Sequence, residues 1–234
     1  DGHGVAQLLP LSCRFVVAGD EATFAFEGHE QIDAFVNATP AVMLGQSMTT
    51  LLCQLLYDVP VNAGVWRPFH FDFGVPGTIV NPREPAPTTQ GHMETGMRVN
   101  KLVADVVSQA VSLADDPVLR SRVAGQPGNG ATSAALAGYD ERRNRPIVLF
   151  PMSPPHMQGG GAQTTNDGLD TYGAQCSLGN GVPAVEIEES TGPVMILWRR
   201  ILPNSGGAGI YRGGQGTEVA LAIWGISSMR GPTL

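Results

Sequence analysis

The spacing of apolar residues in the first half of the chain predicts a β-hairpin followed by two long helices. Two strand-like segments, 11–17 and 22–26, flank a Gly19-Asp20 turn, which predicts the hairpin. Apolar residues then recur at helical spacing after Thr39-Pro40, and this pattern predicts a helix over 40–57. The same spacing predicts a second helix over 95–114, either capped by Thr95 or beginning in the turn before it.

Shorter apolar runs predict strands later in the chain. Residues 65–73, 146–150 and 194–202 have strand-like composition, and a further apolar run covers 219–224. Residues 79–87 contain three prolines, so we expect an extended segment pinned against other structure. These elements predict an α+β fold with mixed sheets, two long helices and glycine-rich loops.

The chain contains no tandem repeat and no low-complexity linker, so we expect a single α+β unit over residues 1–234. It begins at Asp1 rather than at a methionine and ends without a polar tail. We therefore expect an internal piece of a longer subunit, or part of a cleaved one.

The composition narrows the classes of partner. Charged residues make up 15% of the chain, well below the usual share of about a quarter, so we expect another chain to cover part of the surface. The net charge is −7 and no Lys/Arg cluster of the kind that binds phosphates is present, which argues against nucleic acid and anionic membranes as partners. Three scattered cysteines without C-x-x-C spacing, Cys13, Cys53 and Cys176, indicate reduced thiols in a cytoplasmic protein.

Glycine is concentrated in one loop near the end of the chain. Six glycines fall within residues 204–217, around Tyr211-Arg212 and between two apolar runs. Glycine lets a backbone approach its neighbour closely, so the loop is predicted to form a packed backbone crossing or to contact a ligand. It lacks the Lys-Ser/Thr of a P-loop and the strand–loop–helix context of a dinucleotide site, which excludes nucleotide binding by this loop.

Two pairs of ionisable residues are candidates for chemistry. His70 and Asp72 lie two positions apart on a predicted strand, so their side chains share a face. His92 and Glu94 lie at the start of the second predicted helix. The four together suit an acid/base or metal site. The alternative is a set of surface polar residues and one hydrogen-bonded core histidine.

Two arginines and a further histidine complete the candidates. Arg67 and Arg212 each carry the planar fork that holds carboxylate or phosphate groups, and Gly213-Gly214 leaves space beside Arg212. The alternative for Arg212 is a purely structural role in holding its loop. His29 follows a predicted strand, where it belongs either to a site-facing loop or to a simple turn.

Several segments together resemble the hydantoinase B family. The family's D-I-P-x-N-x-G stretch is matched by residues 58–64, and its next blocks by Arg67-Pro68, 76–82, 85–87 and Glu94-Thr95. Asn166-Asp167-Gly168, residues 183–186 and the long glycine motif at 204–216 complete the pattern in order. The resemblance covers nearly the whole chain.

The resemblance implies a B-type subunit of an ATP-dependent hydantoinase, 5-oxoprolinase or ketone carboxylase. In such hetero-oligomers an actin-like A-type subunit binds ATP and phosphorylates a carbonyl or enol oxygen of a small-molecule substrate. The B-type subunit then completes hydrolysis or carboxylation, often near a divalent metal. The metal-binding motifs of the family lie N-terminal to this region, so no residue here is assigned as a metal ligand.

Two departures from the hydantoinase pattern, Gly28-His29-Glu30-Gln31 and Gly91-His92-Met93-Glu94, favour the ketone carboxylase branch. The resemblance thus implies carboxylation of a phosphorylated enol by CO2 derived from bicarbonate. His92 and Glu94 are then the catalytic candidates, with Arg67, His70, Asp72 and Arg212 binding substrate. Hydrolysis of a cyclic amide is the alternative reaction, and a non-catalytic assembly subunit is the alternative of another class.

Overall fold

The structure is a computed structural model that describes residues 7–88, 91–126, 136–149, 158–172, 183–226 and 229–230. The chain divides into two compact units, Asp1–Gln126 and Pro127–Leu234, hereafter the first and second units. Both contain helices and small sheets, so the predicted α+β class is confirmed. The sequence predicts one α+β unit over residues 1–234, and the behaviour of the whole chain as one domain stays a prediction.

The first unit packs a three-stranded sheet against two helices. Its elements are β1 (Leu11–Ala18), β2 (Glu21–Gly28), α1 (Pro40–Gln54), β3 (Phe69–Asp72), α2 (Thr95–Ser112) and the short α3 (Pro117–Arg120). β1 and β2 form the predicted antiparallel hairpin, and β3 pairs in parallel with β2. Phe24 of β2 is fully buried and stacks against Phe15 and Phe71 on the neighbouring strands. The core between sheet and helices is therefore aromatic on the sheet side.

Two predicted boundaries of the first unit and one predicted helix cap are wrong. The predicted strand 65–73 begins only at Phe69, because residues Ala63–Trp66 form a 3-10 helix that the Asn62 side chain caps. α1 ends at Gln54 instead of continuing to residue 57. α2 begins at Thr95 as predicted and follows a turn over 91–94, but its N-cap is Glu94, and Thr95 instead donates its hydroxyl hydrogen to the carbonyl oxygen of Val36 at 2.6 Å.

The proline-rich segment 79–87 is pinned as the sequence predicts. Ile79 donates its backbone hydrogen to the carbonyl oxygen of His29 at 2.9 Å and accepts one from Ala38 at 2.7 Å. The Gln31 side chain binds both backbone groups of Arg83, at 2.7 and 3.1 Å. Hydrogen bonds outside any regular sheet thus attach this segment to residues 29–38.

Among its described residues, the second unit contains two small antiparallel sheets and one helix. Its elements are β4 (Leu136–Asp140), β5 (Arg145–Leu149), α4 (Val185–Thr191), β6 (Val194–Ile201), β7 (Thr217–Ile223) and β8 (Met229–Arg230). β4 lies between β5 and β8, whereas β6 pairs with β7. The predicted strands 146–150 and 194–202 correspond to β5 and β6, although residue 150 lies outside the described residues. Within the described ranges, no helix is long and apolar enough to cross a bilayer.

Candidate functional site

The glycine-rich loop between β6 and β7 is a packed backbone crossing. Its residues 212–215 lie against residues 159–171, and a Cβ atom added at Gly214 would lie 1.9 Å from the carbonyl oxygen of Leu169. A Cβ at Gly159 would lie 1.8 Å from the carbonyl oxygen of Gly214, and one at Gly168 2.1 Å from that of Gly160. No side chain fits at these positions, which confirms the close approach that the glycine content predicts.

Backbone hydrogen bonds join the segments of this crossing. Gly214 donates to the carbonyl oxygen of Gly160 and Gly168 to that of Arg212, each at 2.8 Å. Gly160 in turn donates to the carbonyl oxygen of Leu169 at 2.8 Å. The loop thus resembles a short, irregular sheet rather than an open ligand cradle.

Two aspartates bind this loop through both its backbone and the Arg212 side chain. Asp167 accepts from the backbone N–H of Arg212 at 2.8 Å, and Asp170 accepts from that of Gln215 at 2.7 Å. The Arg212 guanidinium lies 3.2 Å from Asp167 and 3.7 Å from Asp170. Arg212 therefore forms ion pairs with carboxylates, as a guanidinium is expected to, but these carboxylates belong to the protein itself. Its predicted role in binding substrate stays a prediction.

The pKa of Asp170 gives a pH-dependent prediction. The backbone and side-chain hydrogen bonds from Gln215, with the charge of Arg212, hold the pKa of Asp170 below its usual range, although desolvation opposes the shift. A carboxyl group whose pKa is lower in the folded than in the unfolded state stabilises the fold at pH values above its unfolded-state pKa. This stabilisation is lost as the pH falls through the folded-state pKa. We expect Asp170→Asn to lower the free energy of unfolding more at pH 7 than at pH 3. Urea unfolding at both pH values checks this, and an equal loss at both would contradict it.

Three segments of the first unit, 29–38, 77–88 and 91–95, form what we call the loop cluster. Asn37 lies fully buried at its centre. Its Nδ2 atom is 2.8 Å from each of three carbonyl oxygens, those of Ile32, Ala34 and Pro87. The turn at Gly91 packs on the same residue, since a Cβ there would lie 2.0 Å from the carbonyl oxygen of Asn37. Asn37 is thus the support for all three segments.

The loop cluster carries the two predicted catalytic residues. His92 is exposed on the turn that begins at Gly91, and Glu94 is half-buried at the N-cap of α2, where its side chain makes no capping hydrogen bond. His29 lies in the same cluster, with its Nδ1 atom 2.7 Å from the carbonyl oxygen of Glu30. A carboxylate at a helix N-terminus is stabilised by the helix dipole, so Glu94 also has a structural reason to be there.

The other predicted substrate-binding residues of the first unit lie along β3. His70 and Asp72 project from its exposed face, as the strand period predicts. The Nε2 atom of His70 is 3.4 Å from a carboxylate oxygen of Glu21, whereas Asp72 accepts from the backbone N–H of Gly74 at 2.9 Å. Arg67 is exposed at the end of the 3-10 helix that precedes β3. The structure thus brings His70 and Asp72 to one face with Glu21.

The described residues do not fit a metal centre. No group of three or more His, Cys, Asp or Glu residues within them is placed to hold an ion. We therefore derive no step through a metal from these residues. Cys13 and Cys53 form no disulfide, and burial raises the pKa of the Cys13 thiol to about 12, so Cys13 is an inert core thiol. Cys176 lies outside the described residues.

The sequence did not predict the two residues that support the loop cluster and the glycine-rich crossing, Asn37 and Asp167. Asn37 precedes the Thr39-Pro40 helix start, and nothing in the local sequence distinguishes it from an ordinary loop asparagine. Asp167 was visible only within a turn, Asn166-Asp167-Gly168, whose partner lies 45 positions later in the chain. The signal available in the sequence was Asp167 next to a glycine, because a carboxylate in a glycine-containing turn can accept hydrogen bonds from the backbone of a second glycine-rich segment.

Comparison with known proteins identifies relatives over nearly the whole chain. The family model described as hydantoinase B/oxoprolinase matches residues 1–227. The caprolactamase subunit beta of Pseudomonas jessenii is 30% identical over 94% of this chain and 36% of its own length. The acetophenone carboxylase delta subunit of Aromatoleum aromaticum is 25% identical over 93% of this chain and 31% of its own. The chain therefore spans about a third of the length of these relatives.

Two solved structures share the fold. The ATP-dependent caprolactamase of Pseudomonas jessenii superposes with a TM-score of 0.81 and 28% identity, over 95% of this chain and 37% of that one. A nucleotide-free acetone carboxylase superposes with a TM-score of 0.77 over 94% of this chain and 29% of that one, and its 19% identity supports the fold alone. The matched segments, their order and the shared fold agree, and the chain belongs to the hydantoinase B/oxoprolinase family.

Proposed function

We propose that this chain is part of a B-type subunit that opens a cyclic amide at the expense of ATP. The observation that carries the proposal is the 30% identity to the caprolactamase subunit beta over 94% of this chain. The proposed reaction begins with a companion A-type subunit, which binds ATP and transfers a phosphoryl group to the carbonyl oxygen of the amide. The B-type subunit then directs water to the activated carbon, and the ring C–N bond breaks as the nitrogen takes a proton, which leaves an acyl phosphate. A second water hydrolyses the acyl phosphate to a carboxylate and phosphate.

Carboxylation of a ketone is the second candidate, since the acetophenone carboxylase delta subunit is 25% identical over 93% of this chain. The departures from the hydantoinase pattern favour carboxylation, but we place it second because the identity to the caprolactamase subunit is higher. An assay of the full-length protein with its companion separates the two. Lactam-dependent ATP hydrolysis with ring opening supports the first, and bicarbonate-dependent ATP hydrolysis with a ketone supports the second.

In the proposed reaction, His92 and Glu94 act as general acid and base, and Arg67 helps to bind the anionic intermediate. Exposure of His92 on an anchored turn supports its role, because a general acid or base must reach the substrate from a fixed position. Arg67 is an exposed guanidinium, which suits a phosphorylated intermediate. His70, Asp72 and Arg212 are proposed to position the substrate. Their existing contacts with Glu21, Gly74, Asp167 and Asp170 limit how far each can move.

We expect His92→Ala to lower kcat of the assembled enzyme by about 10²- to 10⁴-fold, the range for loss of a general acid or base. Glu94→Gln keeps the shape of the helix N-cap while removing its charge, and we expect a loss in kcat in the same direction. His29→Ala is the control, since it removes a histidine of the same loop cluster that has no assigned role. Turnover and the thermal midpoint of each variant are measured together.

The exposed position of His92 makes a stability loss above about 0.5 kcal/mol unexpected. A fall in turnover at unchanged stability therefore indicates chemistry. If His92→Ala, Glu94→Ala and Arg212→Ala all leave the activity of the full complex unchanged, this region acts in assembly only, and the catalytic proposal is withdrawn.

A further inference from the structure

The side chain of Gln31 holds Arg83 by both of its backbone groups. The Oε1 atom of Gln31 accepts from the backbone N–H of Arg83 at 2.7 Å, and its Nε2 atom donates to the carbonyl oxygen of Arg83 at 3.1 Å. Gln31 is itself fixed, because its backbone N–H donates to the carbonyl oxygen of Gly77 at 2.9 Å. We call these two side-chain bonds the Gln31 clamp. The clamp restricts the backbone of Arg83 and so fixes where its side chain begins.

The residue held by the Gln31 clamp is the only Lys or Arg of the loop cluster. The same three segments contain four carboxylates, those of Glu30, Asp33, Glu84 and Glu94. Arg83 is exposed, and its guanidinium forms no ion pair or hydrogen bond with the residues that the structure describes. An anion that approaches the loop cluster therefore meets one side chain of opposite charge there, and that side chain is Arg83.

Other arginines of the first unit use their guanidinium groups within the chain. The guanidinium of Arg122 pairs with the carboxylate of Asp58 at 2.8 Å, and that of Arg120 donates to two backbone carbonyl groups just before it in sequence. At Arg83 the arrangement is reversed, because the backbone is held by a side chain while the guanidinium has no partner among the described residues. Such an arrangement suits an arginine that binds a ligand.

We propose that Arg83 binds the phosphoryl group of the activated amide, and that Gln31 is the positioning residue that fixes Arg83 for this contact. The inference rests on the proposed function, which gives this subunit a phosphorylated intermediate to act on. The planar fork of a guanidinium binds two phosphate oxygens at once. A backbone that is fixed before binding lowers the entropy that the contact costs.

The loop cluster connects Arg83 to the proposed general acid and base. The segment that contains Arg83 is attached to Asn37 through the carbonyl oxygen of Pro87, at 2.8 Å. The turn at Gly91, from which His92 projects, packs on the carbonyl oxygen of the same asparagine. A common buried support thus holds both segments, so a phosphorylated amide bound by Arg83 lies on the same cluster as His92.

Removal of the guanidinium tests the proposal in the full-length subunit assembled with its companion. We expect Arg83→Gln to lower kcat for ring opening about tenfold or more without changing KM for the lactam or for ATP, because the lost contact forms only after phosphoryl transfer. Arg14→Gln is the matched control, since Arg14 is exposed on β1 outside the loop cluster. The control should have the kcat and KM of the wild type.

The ratio of ATP hydrolysed to rings opened gives a second measurement. When Arg83 does not hold the phosphoryl group, water attacks the phosphorus atom of the phosphorylated amide more often. The P–O bond to the amide oxygen then breaks, phosphate is released and the intact cyclic amide returns. We therefore expect Arg83→Gln to raise this ratio above that of the wild type. Loss of folded enzyme alone lowers both rates together and leaves the ratio unchanged.

A double-mutant cycle tests whether Gln31 acts through Arg83. We expect Gln31→Ala alone to lower kcat about threefold or more, and to change kcat by less than about twofold when Arg83→Gln is already present. The reason is that a positioning residue has no effect once the side chain that it positions is absent. If the two effects multiply instead, Gln31 only supports the proline-rich segment, and its positioning role is overturned.

The thermal midpoint of the isolated full-length subunit shows whether Arg83 pairs with the rest of its own polypeptide. We expect Arg83→Gln to leave this midpoint at the wild-type value, and a fall that Arg14→Gln does not share would overturn the inference. Ring opening by Arg83→Gln at the wild-type rate and ratio would also overturn it, while leaving the proposed function intact. If the wild-type complex opens no lactam, the proposed function fails and the inference fails with it.

Discussion

Gly214→Ala is expected to lower the free energy of unfolding by about 3 kcal/mol or more, since overpacking alone costs about 1–3 kcal/mol and weakened hydrogen bonds add to it. The new Cβ would lie 1.9 Å from the carbonyl oxygen of Leu169 and 2.4 Å from its carbon, where ordinary contact begins at 3.4 Å. These atoms belong to the backbone, so no side-chain rotation relieves the overlap. Urea unfolding of the variant and the wild type measures the loss.

The mechanism of this loss is separation of two hydrogen-bonded segments. Moving residues 168–170 away from Gly214 stretches the bond from Gly160 to Leu169, at 2.8 Å, and the bond from Gln215 to Asp170, at 2.7 Å. The latter bond helps to hold the pKa of Asp170 low. Gly214→Ala should therefore also reduce the pH dependence that Asp170 contributes.

Gly207→Ala is the matched control within the same loop. A Cβ at Gly207 meets no atom within 4 Å, and its backbone does not require a positive φ. Replacing such a glycine restricts the unfolded chain, which stabilises a protein by about 0.4–1 kcal/mol. The two substitutions are chemically identical and should change stability in opposite directions. Equal stability of Gly214→Ala and the wild type would show that the close backbone crossing does not exist in solution.

The fold was predictable where a local pattern determines it. The β1–β2 hairpin follows from alternating side chains around Gly19-Asp20, and α1 follows from the Thr39-Pro40 start and its apolar stripe. The first part of the strand predicted over 65–73 failed because the Asn62 side chain caps a 3-10 helix there, a local hydrogen bond that outweighs the β-propensity of Val65 and Trp66.

The candidate site was predictable in part. Spacing placed His70 and Asp72 on one strand face, and composition located the glycine crossing. What spacing does not show is which distant segment a side chain will meet. Glu21 reaches His70 because β2 and β3 pair in parallel, and Asp167 reaches Arg212 across 45 positions of sequence. Both pairings arise from tertiary structure, so the partners of the predicted residues came only with the fold.

Asn37→Ala is expected to cost about 3 kcal/mol, because each buried polar group left without a partner costs about 1–3 kcal/mol. The two Nδ2 hydrogens of Asn37 are shared among three carbonyl oxygens, those of Ile32, Ala34 and Pro87. The Oδ1 atom of Asn37 accepts from the backbone N–H of Ile32 at 3.2 Å. Alanine removes all of these partners at a fully buried position. Chemical unfolding measures the change.

The same substitution should reduce turnover of the assembled enzyme, because Asn37 supports the turn at Gly91 from which His92 projects. Asn81→Ala is the control: its Nδ2 atom makes one exposed hydrogen bond, to Gly74 at 2.9 Å, worth about 0.5–1.5 kcal/mol. Reduced stability with full activity would separate the loop cluster from the chemistry and favour an assembly role. Unchanged stability would contradict the central position of Asn37, since a buried amide with three acceptors cannot be removed without leaving carbonyl groups unpaired.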